Sequence, residues 1–165
     1  MVSLHQITPS LASDYKAVRL RALLDTPSAF GSTYARESQF SDDDWQQRAA
    51  NLYTPRSIGY LAHYLDDYCG LAAAFLNVEN PQHAELVGMW VAPEHRRTGT
   101  GRLLIEAIES WARAAGARTL QLMVTNNNLG AIAFYQRLGF SATGRTGPYP
   151  NDPAVIEYEM SKPIR

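Results

Sequence analysis

The run Arg96-Arg97-Thr98-Gly99-Thr100-Gly101-Arg102 sets two glycines among three arginines at the entrance of an amphipathic segment. The chemistry that such a run serves is anion binding. Glycine lets the chain turn without crowding from a Cβ, and a helix starting there leaves its first amides without intrahelical acceptors, so N–H groups and the positive end of the helix dipole converge on an approaching anion. A phosphate suits that arrangement. On spacing alone the run serves equally well as a phosphate cradle or as a plain strand-to-helix turn with Arg96 and Arg97 solvated, and the surrounding sequence must discriminate.

Two nucleotide fingerprints fail. The dinucleotide pattern G-x-G-x-x-G has Leu104 where its third glycine belongs, and the following strand ends in Val124-Thr125-Asn126 without an acid for a ribose. A Walker A loop needs Lys-Ser/Thr after its last glycine, where this chain has Arg102-Leu103. Two further residues have proton-transfer chemistry in a suggestive place: Glu85 in "AELVGMWV", on the strand before the glycine run, and Tyr135 in "NLGAIAFYQRLGF" after it. His95 adjoins the loop, while His5, His63 and His83 show no ligand spacing with Cys69 or with carboxylates, so no metal is expected.

The elements that must position these groups alternate along the chain. "SLHQI" reads as a first strand; Thr8 and Pro9 read as N-cap and first helical position of a helix whose buried stripe is Leu11, Tyr15, Val18 and Ala22. Ser41 and Asp44 form a capping-box-like start for a second helix. "SIGYLAHYL" and "YCGLAAAFLNV" read as a hairpin turning at Asp66-Asp67, with "AELVGMWVAP" as the next strand. Leu103, Leu104, Ala107, Ile108, Trp111 and Ala115 then make the apolar face of a helix, opposed by Arg102, Glu106, Glu109 and Arg113 and stopped at Gly116. "TLQLMV", a helix over about 128–138, and strands over about 140–146 and 154–160 complete an α+β order, β-α-α-β-β-β-α-β-α-β-β.

The chain of 165 residues fits one domain, 1–165, able to fold without staples. Lys+Arg 15 against Asp+Glu 16 leaves a net charge of −1, which excludes a general nucleic-acid or membrane-surface binder, since those need one sign of charge over a wide face. Any anion site must be local. The lone Cys69 cannot form an internal disulfide and reads as a small buried hydrophobe, in keeping with a reducing cytoplasm. No run approaches the roughly 20 apolar residues that span a bilayer, so the expectation is a soluble cytoplasmic protein.

With these residues in view, the chain resembles the GCN5-related N-acetyltransferase (GNAT) family. Its signature Q/R-x-x-G-x-G/A matches Arg96, Gly99 and Gly101, with Arg97 at a variable position often held by glycine, and its segment N-x-x-A-x-x-x-Y-x-x-x-G-F matches Asn128, Ala131, Tyr135, Gly139 and Phe140. The resemblance implies one GNAT-like domain: a mixed, mostly antiparallel sheet with a splayed parallel strand pair, "AELVGMWVAP" and "TLQLMV", flanked by about four helices. It also implies acetyl-CoA as cosubstrate and no metal. Cofactor contacts carried over are the backbone amides from Arg97 to Arg102 through Thr98, Gly99, Thr100 and Gly101, the adjoining Arg96, the strand edge at Trp90 and Val91, and Asn128, Ala131 and Tyr135.

Acetyl transfer to an amine needs a neutral nucleophile, a stabilised oxyanion and a protonated leaving thiolate. An alkylammonium with a pKa of ~10.4 is about 0.1% neutral at physiological pH, so reaching the nucleophilic form costs roughly 4 kcal/mol without help. By the resemblance Glu85 is the general base, Tyr135 the general acid toward the coenzyme sulfur, and an amide near Val91 meets the oxyanion. The expected activity is direct acetyl transfer from acetyl-CoA to a primary amine of a small molecule, with a peptide or protein N-terminus or lysine as the alternative and a noncatalytic acyl-CoA-binding module as a third reading. The acceptor would lie between the first two helices and the loop joining the last strands. There Arg19, Arg21, Arg36 or Arg145 can meet an acceptor carboxylate or serve as ordinary surface charges. The partners are thus acetyl-CoA and an amine, with no nucleic acid and no membrane; the assembly, homodimer included, is left open.

Overall fold

The computed structural model describes residues 1–165. Strands are β1 (Ser3–Gln6), β2 (Ser57–Tyr64), β3 (Asp67–Leu76), β4 (His83–Val91), β5 (Thr119–Thr125), β6 (Ser141–Tyr149) and β7 (Asp152–Pro163); helices are α1 (Ala12–Asp25), α2 (Tyr34–Glu37), α3 (Asp42–Asn51), α4 (Thr100–Ala114) and α5 (Leu129–Arg137). All seven strands join one sheet in the order β1-β2-β3-β4-β5-β7-β6, and only β4 and β5 run parallel. One apolar core runs from Ile7 to Ile164. No helix is long and apolar enough to cross a membrane.

What positions the site is a failure of pairing. β4 and β5 are in register only at His83↔Thr119, Ala84↔Leu120 and Glu85↔Gln121, and beyond Glu85 the strands part. On its other side β4 stays paired to β3 up to Gly70↔Val91. Between Ala73↔Val87 and Leu71↔Trp90, β4 carries one residue more than β3, a bulge absorbed by Gly88 at φ +63°. A bulge bends its strand and raises the local twist, which turns the C-terminal half of β4 away from β5.

The sequence reading holds in outline and departs at particular residues. The Ser41–Asp44 capping box forms, with Ser41 N donating to Asp44 Oδ2 at 2.9 Å and Asp44 N to Ser41 Oγ at 3.1 Å. Thr8 does not cap α1: its hydroxyl pairs with Ser10 Oγ at 2.7 Å, Pro9 opens a 3-10 turn, and the α-helix begins at Ala12. Glu109, assigned to the solvent face of α4, is buried because β7 brings Lys162 Nζ within 2.6 Å of its carboxylate. β6 and β7 run longer than the predicted segments and meet in a hairpin at Tyr149↔Asp152, and Pro148 is tolerated because β6 is an edge strand.

The single turn α2, unforeseen from sequence, carries Glu37. The residue is 1% exposed, and its carboxylate takes Arg19 Nε at 2.9 Å, Arg19 Nη2 at 3.0 Å and Arg48 Nη1 at 2.7 Å. Burial alone would raise its pKa, but the guanidinium hydrogen bonds outweigh it and hold the group down to about 2. The folded value lies below the ordinary 4.5, so this triad stabilises fully above that pH and loses its contribution as pH falls toward 2. The thermal midpoint of the native protein should therefore drop more steeply between those pH values than that of Glu37→Gln; parallel slopes in a melting series would assign the acid sensitivity elsewhere.

Candidate active site

The parted strands open a cavity of about 730 Å³. β4 lines it from Leu86 to Val91 and β5 from Leu122 to Thr125, with the loop at Arg96, Arg97 and Gly99, the start of α4, the inner face of α5, and Thr26, Ser28 and Ala29 after α1. Its charged lining is uneven: Arg96, Arg97, Arg102 and Arg137 against one carboxylate, Glu157.

The loop presents bare amides. Arg97 sits at φ +63° and Gly99 at φ +89°, left-handed conformations that turn successive N–H groups to one side, and Gly99 occupies the N-cap of α4 without a side-chain cap. Arg96 N donates to Pro93 O, and Leu103 N to Gly99 O at 3.0 Å, while the amides from Arg97 to Arg102 have no acceptor within the protein. The threonines serve the loop itself. Thr98 Oγ1 donates to His95 O and shares a 2.9 Å bond with the buried Thr100 hydroxyl, so both side chains stand outside the cavity lining. Gly101 is small for a second reason: a Cβ there would lie 2.9 Å from Phe134 Cζ.

The side chain of Arg96 acts as a strut. Nε donates to Val91 O at 2.9 Å and Nη2 to Asp25 Oδ2 at 2.6 Å, fastening the loop to the end of β4 and to α1. Asp25 also accepts from Trp90 Nε1 at 2.9 Å, so the Trp90 indole braces the wall. Burial opposes the charge of Asp25, but hydrogen bonds from Thr26, Trp90 and Arg96 outweigh it and hold the carboxyl below its ordinary range.

On α5, Asn128 Oδ1 caps the helix by accepting from Ala131 N at 3.2 Å, and Asn128 and Ala131 both line the cavity. Tyr135 follows on the inner face, 9% exposed, with ring centroids of Phe134 and Phe140 at 5.3 and 5.6 Å. Burial pushes its phenol well above the ordinary value, so the hydroxyl stays protonated at neutral pH. That is the state a proton donor needs.

Glu85 is not brought together with Tyr135. It stands at the last position where β4 pairs with β5, outside the cavity lining, and its Oε1 accepts from Asn77 Nδ2 at 3.3 Å. The residue two along on the same face, Val87, does line the cavity, so Glu85 reaches the opening only along the sheet surface.

Residues 20–140 match the acetyltransferase (GNAT) family model. The chain belongs to this family. As a GNAT chain it is 41% identical over 78 residues to streptothricin acetyltransferase of Streptomyces lavendulae, which is 47% of this chain and 41% of that protein. It is 39% identical over 82 residues to IAA acetyltransferase of Azospirillum brasilense, 50% of this chain and 52% of that protein. The matched part thus spans about half the length of these curated relatives. Among solved structures, a GNAT acetyltransferase from Streptococcus pneumoniae superposes over 100% of both chains with a TM-score of 0.81 at 22% identity, which shows the shared fold. The PaiA N-acetyltransferase of Thermoplasma acidophilum, solved in complex with coenzyme A, covers 99% of each chain at a TM-score of 0.77 and 16% identity.

Several residues of this GNAT cavity were not foreseen. Phe134 lines the cavity against Gly101. Thr125 and Glu157 come together only because β5 pairs with β7, a register that no local pattern reveals. The segment after α1 and the last hairpin touch directly: Tyr149 donates its hydroxyl to Pro27 O at 3.1 Å, and Asn151 Nδ2 donates to Phe30 O and Ser32 O, each at 3.1 Å.

Proposed function

We propose that the protein transfers an acetyl group from acetyl-CoA to a primary amine by direct attack of the amine on the thioester. The observation that carries this reading is the run of unpaired amides from Arg97 to Arg102 opening onto the same cavity that Tyr135 lines. The fit is chemical on three counts. Outward amides, the N-terminus of α4 and Arg97 and Arg102 suit a pyrophosphate. The edge of β4 beyond Glu85, without a partner on the β5 side, suits the amides of a pantetheine arm, which it would accept as an added strand. The cavity volume suits an extended ligand.

When bound, the cosubstrate supplies an activated acetyl group and a thiol leaving group. This chain's residues do the rest: loop amides and arginines neutralise the phosphates, Trp90 and Val91 offer backbone partners, and Asn128 and Ala131 fix α5 so that the Tyr135 hydroxyl can return a proton to sulfur. Glu85, from its position outside the lining, would act as base only through intervening water.

For the acceptor we favour a small-molecule amine, supported by the match to streptothricin acetyltransferase. A protein N-terminus is the second reading, supported by 36% identity over 92 residues to the [ribosomal protein bS18]-alanine N-acetyltransferase of Escherichia coli, of which 62% is covered. A thiol-release assay with acetyl-CoA against a panel of alkylamines, aminoglycosides, amino acids and short peptides tests both. Amine-dependent release by at least one class is expected; release by none, or release independent of the amine, contradicts the proposal.

A further inference from the structure

The cavity has a wall that the cofactor reading leaves unused. Across β5 from β4, the antiparallel register places Met123 opposite Glu159 and Thr125 opposite Glu157, so these four side chains share one sheet face. Thr125 and Glu157 both line the cavity. The Thr125 side chain is unusual: the residue is 4% exposed and its hydroxyl has no hydrogen-bond partner in the protein. A buried polar group left unpaired costs about 1–3 kcal/mol, so its retention at a cavity wall points to a ligand that completes it.

Glu157 is half-buried beside it, and its carboxylate makes no hydrogen bond or ion pair within the protein. Its sheet neighbours are Thr125 of β5, with Met123 two residues along on the same face, and Gly147 of β6, while Tyr135 and Arg137 of α5 line the same cavity. On its own strand Glu159 accepts from Thr143 Oγ1 at 2.9 Å. Arg96, Arg97 and Arg102 belong to the wall formed by the glycine loop and α4. An ammonium entering this cavity meets four guanidinium groups that repel it and a single carboxylate that attracts it.

We infer that Glu157 and the Thr125 hydroxyl form the acceptor site: Glu157 binds an incoming primary ammonium and takes its proton, while Thr125 Oγ1 orients the nitrogen. This rests on the acetyltransferase reading and deepens it by naming the acceptor class, an amine that arrives as a cation, and by naming a base. The protons balance. The ammonium gives one to Glu157 and, through it, to solvent; nitrogen attacks the carbonyl carbon, the C–N bond forms and the C–S bond breaks; the second proton lost by nitrogen ends on sulfur by way of Tyr135. The products are the N-acetyl amide and the free thiol. Burial raises the Glu157 carboxyl above its ordinary value, which strengthens it as a proton acceptor.

Three variants test the assignment in the full-length protein: Glu157→Gln, Thr125→Val and Glu85→Gln. Coenzyme A affinity by calorimetry should be unchanged in all three. With the best amine of the panel, Glu157→Gln should lose about 10²-fold in kcat/KM at neutral pH and regain about tenfold per pH unit toward the amine's pKa, while the native enzyme flattens earlier. Thr125→Val should raise the KM for the amine about tenfold with kcat nearly kept. A readout independent of turnover is the carboxyl carbon shift of Glu157 with desulfo-coenzyme A present: adding the same amine as its ammonium salt should move its titration to lower pH. If the native enzyme acetylates an amine but Glu157→Gln matches it at neutral pH, or if Glu85→Gln alone shows the loss with alkaline recovery, the assignment is overturned and the acetyltransferase reading stands. If the native enzyme releases no thiol with any amine while binding coenzyme A, the functional reading itself fails.

Discussion

Gly101→Glu is expected to lose coenzyme A affinity by about 10³-fold while remaining folded, because a carboxylate set among phosphates adds a like-charge contact of several kcal/mol. The position is also sterically closed. A Cβ on Gly101 meets Phe134 Cζ at 2.9 Å and Cε1 at 3.2 Å, with Met89 Cε at 3.5 Å, so the phenyl ring must move before any side chain fits. Gly101→Ala separates the two effects, since it keeps the crowding and omits the charge, and a loss of about tenfold is expected from it. Calorimetric titration with coenzyme A, alongside a thermal melt to establish folding, measures both. Unchanged affinity in a folded Gly101→Glu protein would remove the loop from the account.

Tyr135→Phe is expected to lower turnover by about 10²-fold or more and to leave coenzyme A affinity almost unchanged. The ring is held between Phe134 and Phe140, so phenylalanine keeps the packing and deletes only the hydroxyl. Burial keeps that hydroxyl protonated at neutral pH, and it becomes a useful donor only when a thiolate is beside it. The readout that separates chemistry from packing is leaving-group dependence: an acyl thioester whose thiol has a lower pKa needs less protonation, so the variant should recover part of its rate with it. Loss of turnover with no such recovery, or no loss at all, would assign Tyr135 to the wall of the cavity.

Much of this site was legible because its parts are local in sequence. The glycine run, the α4 stripe and the segment from Asn128 to Phe140 each declare themselves within a dozen or so residues, through turn-forming glycine, helical spacing and an N-cap. The bulge that opens the sheet was half-visible in Gly88, but a strand glycine alone does not tell a bulge from a close approach. What stayed hidden depends on distant pairing. Glu157 reaches the cavity through its register with Thr125, Glu109 is buried by Lys162 from β7, and Arg96 is fastened by Asp25 at the end of α1. Glu85 shows the converse: its strand and approximate place followed from sequence, yet a side chain at the last position paired with β5 falls just short of the opening that begins beyond it.

The claim on which everything else depends is that the parted strands and the glycine loop hold acetyl-CoA. A crystal structure of the protein with coenzyme A tests it most directly. The pyrophosphate is expected on the amides between Arg97 and Arg102, the pantetheine arm along β4 at Trp90 and Val91, and the sulfur within hydrogen-bond reach of the Tyr135 hydroxyl. A coenzyme whose phosphates lie away from that loop, or whose sulfur points out of the cavity away from Tyr135, would contradict it.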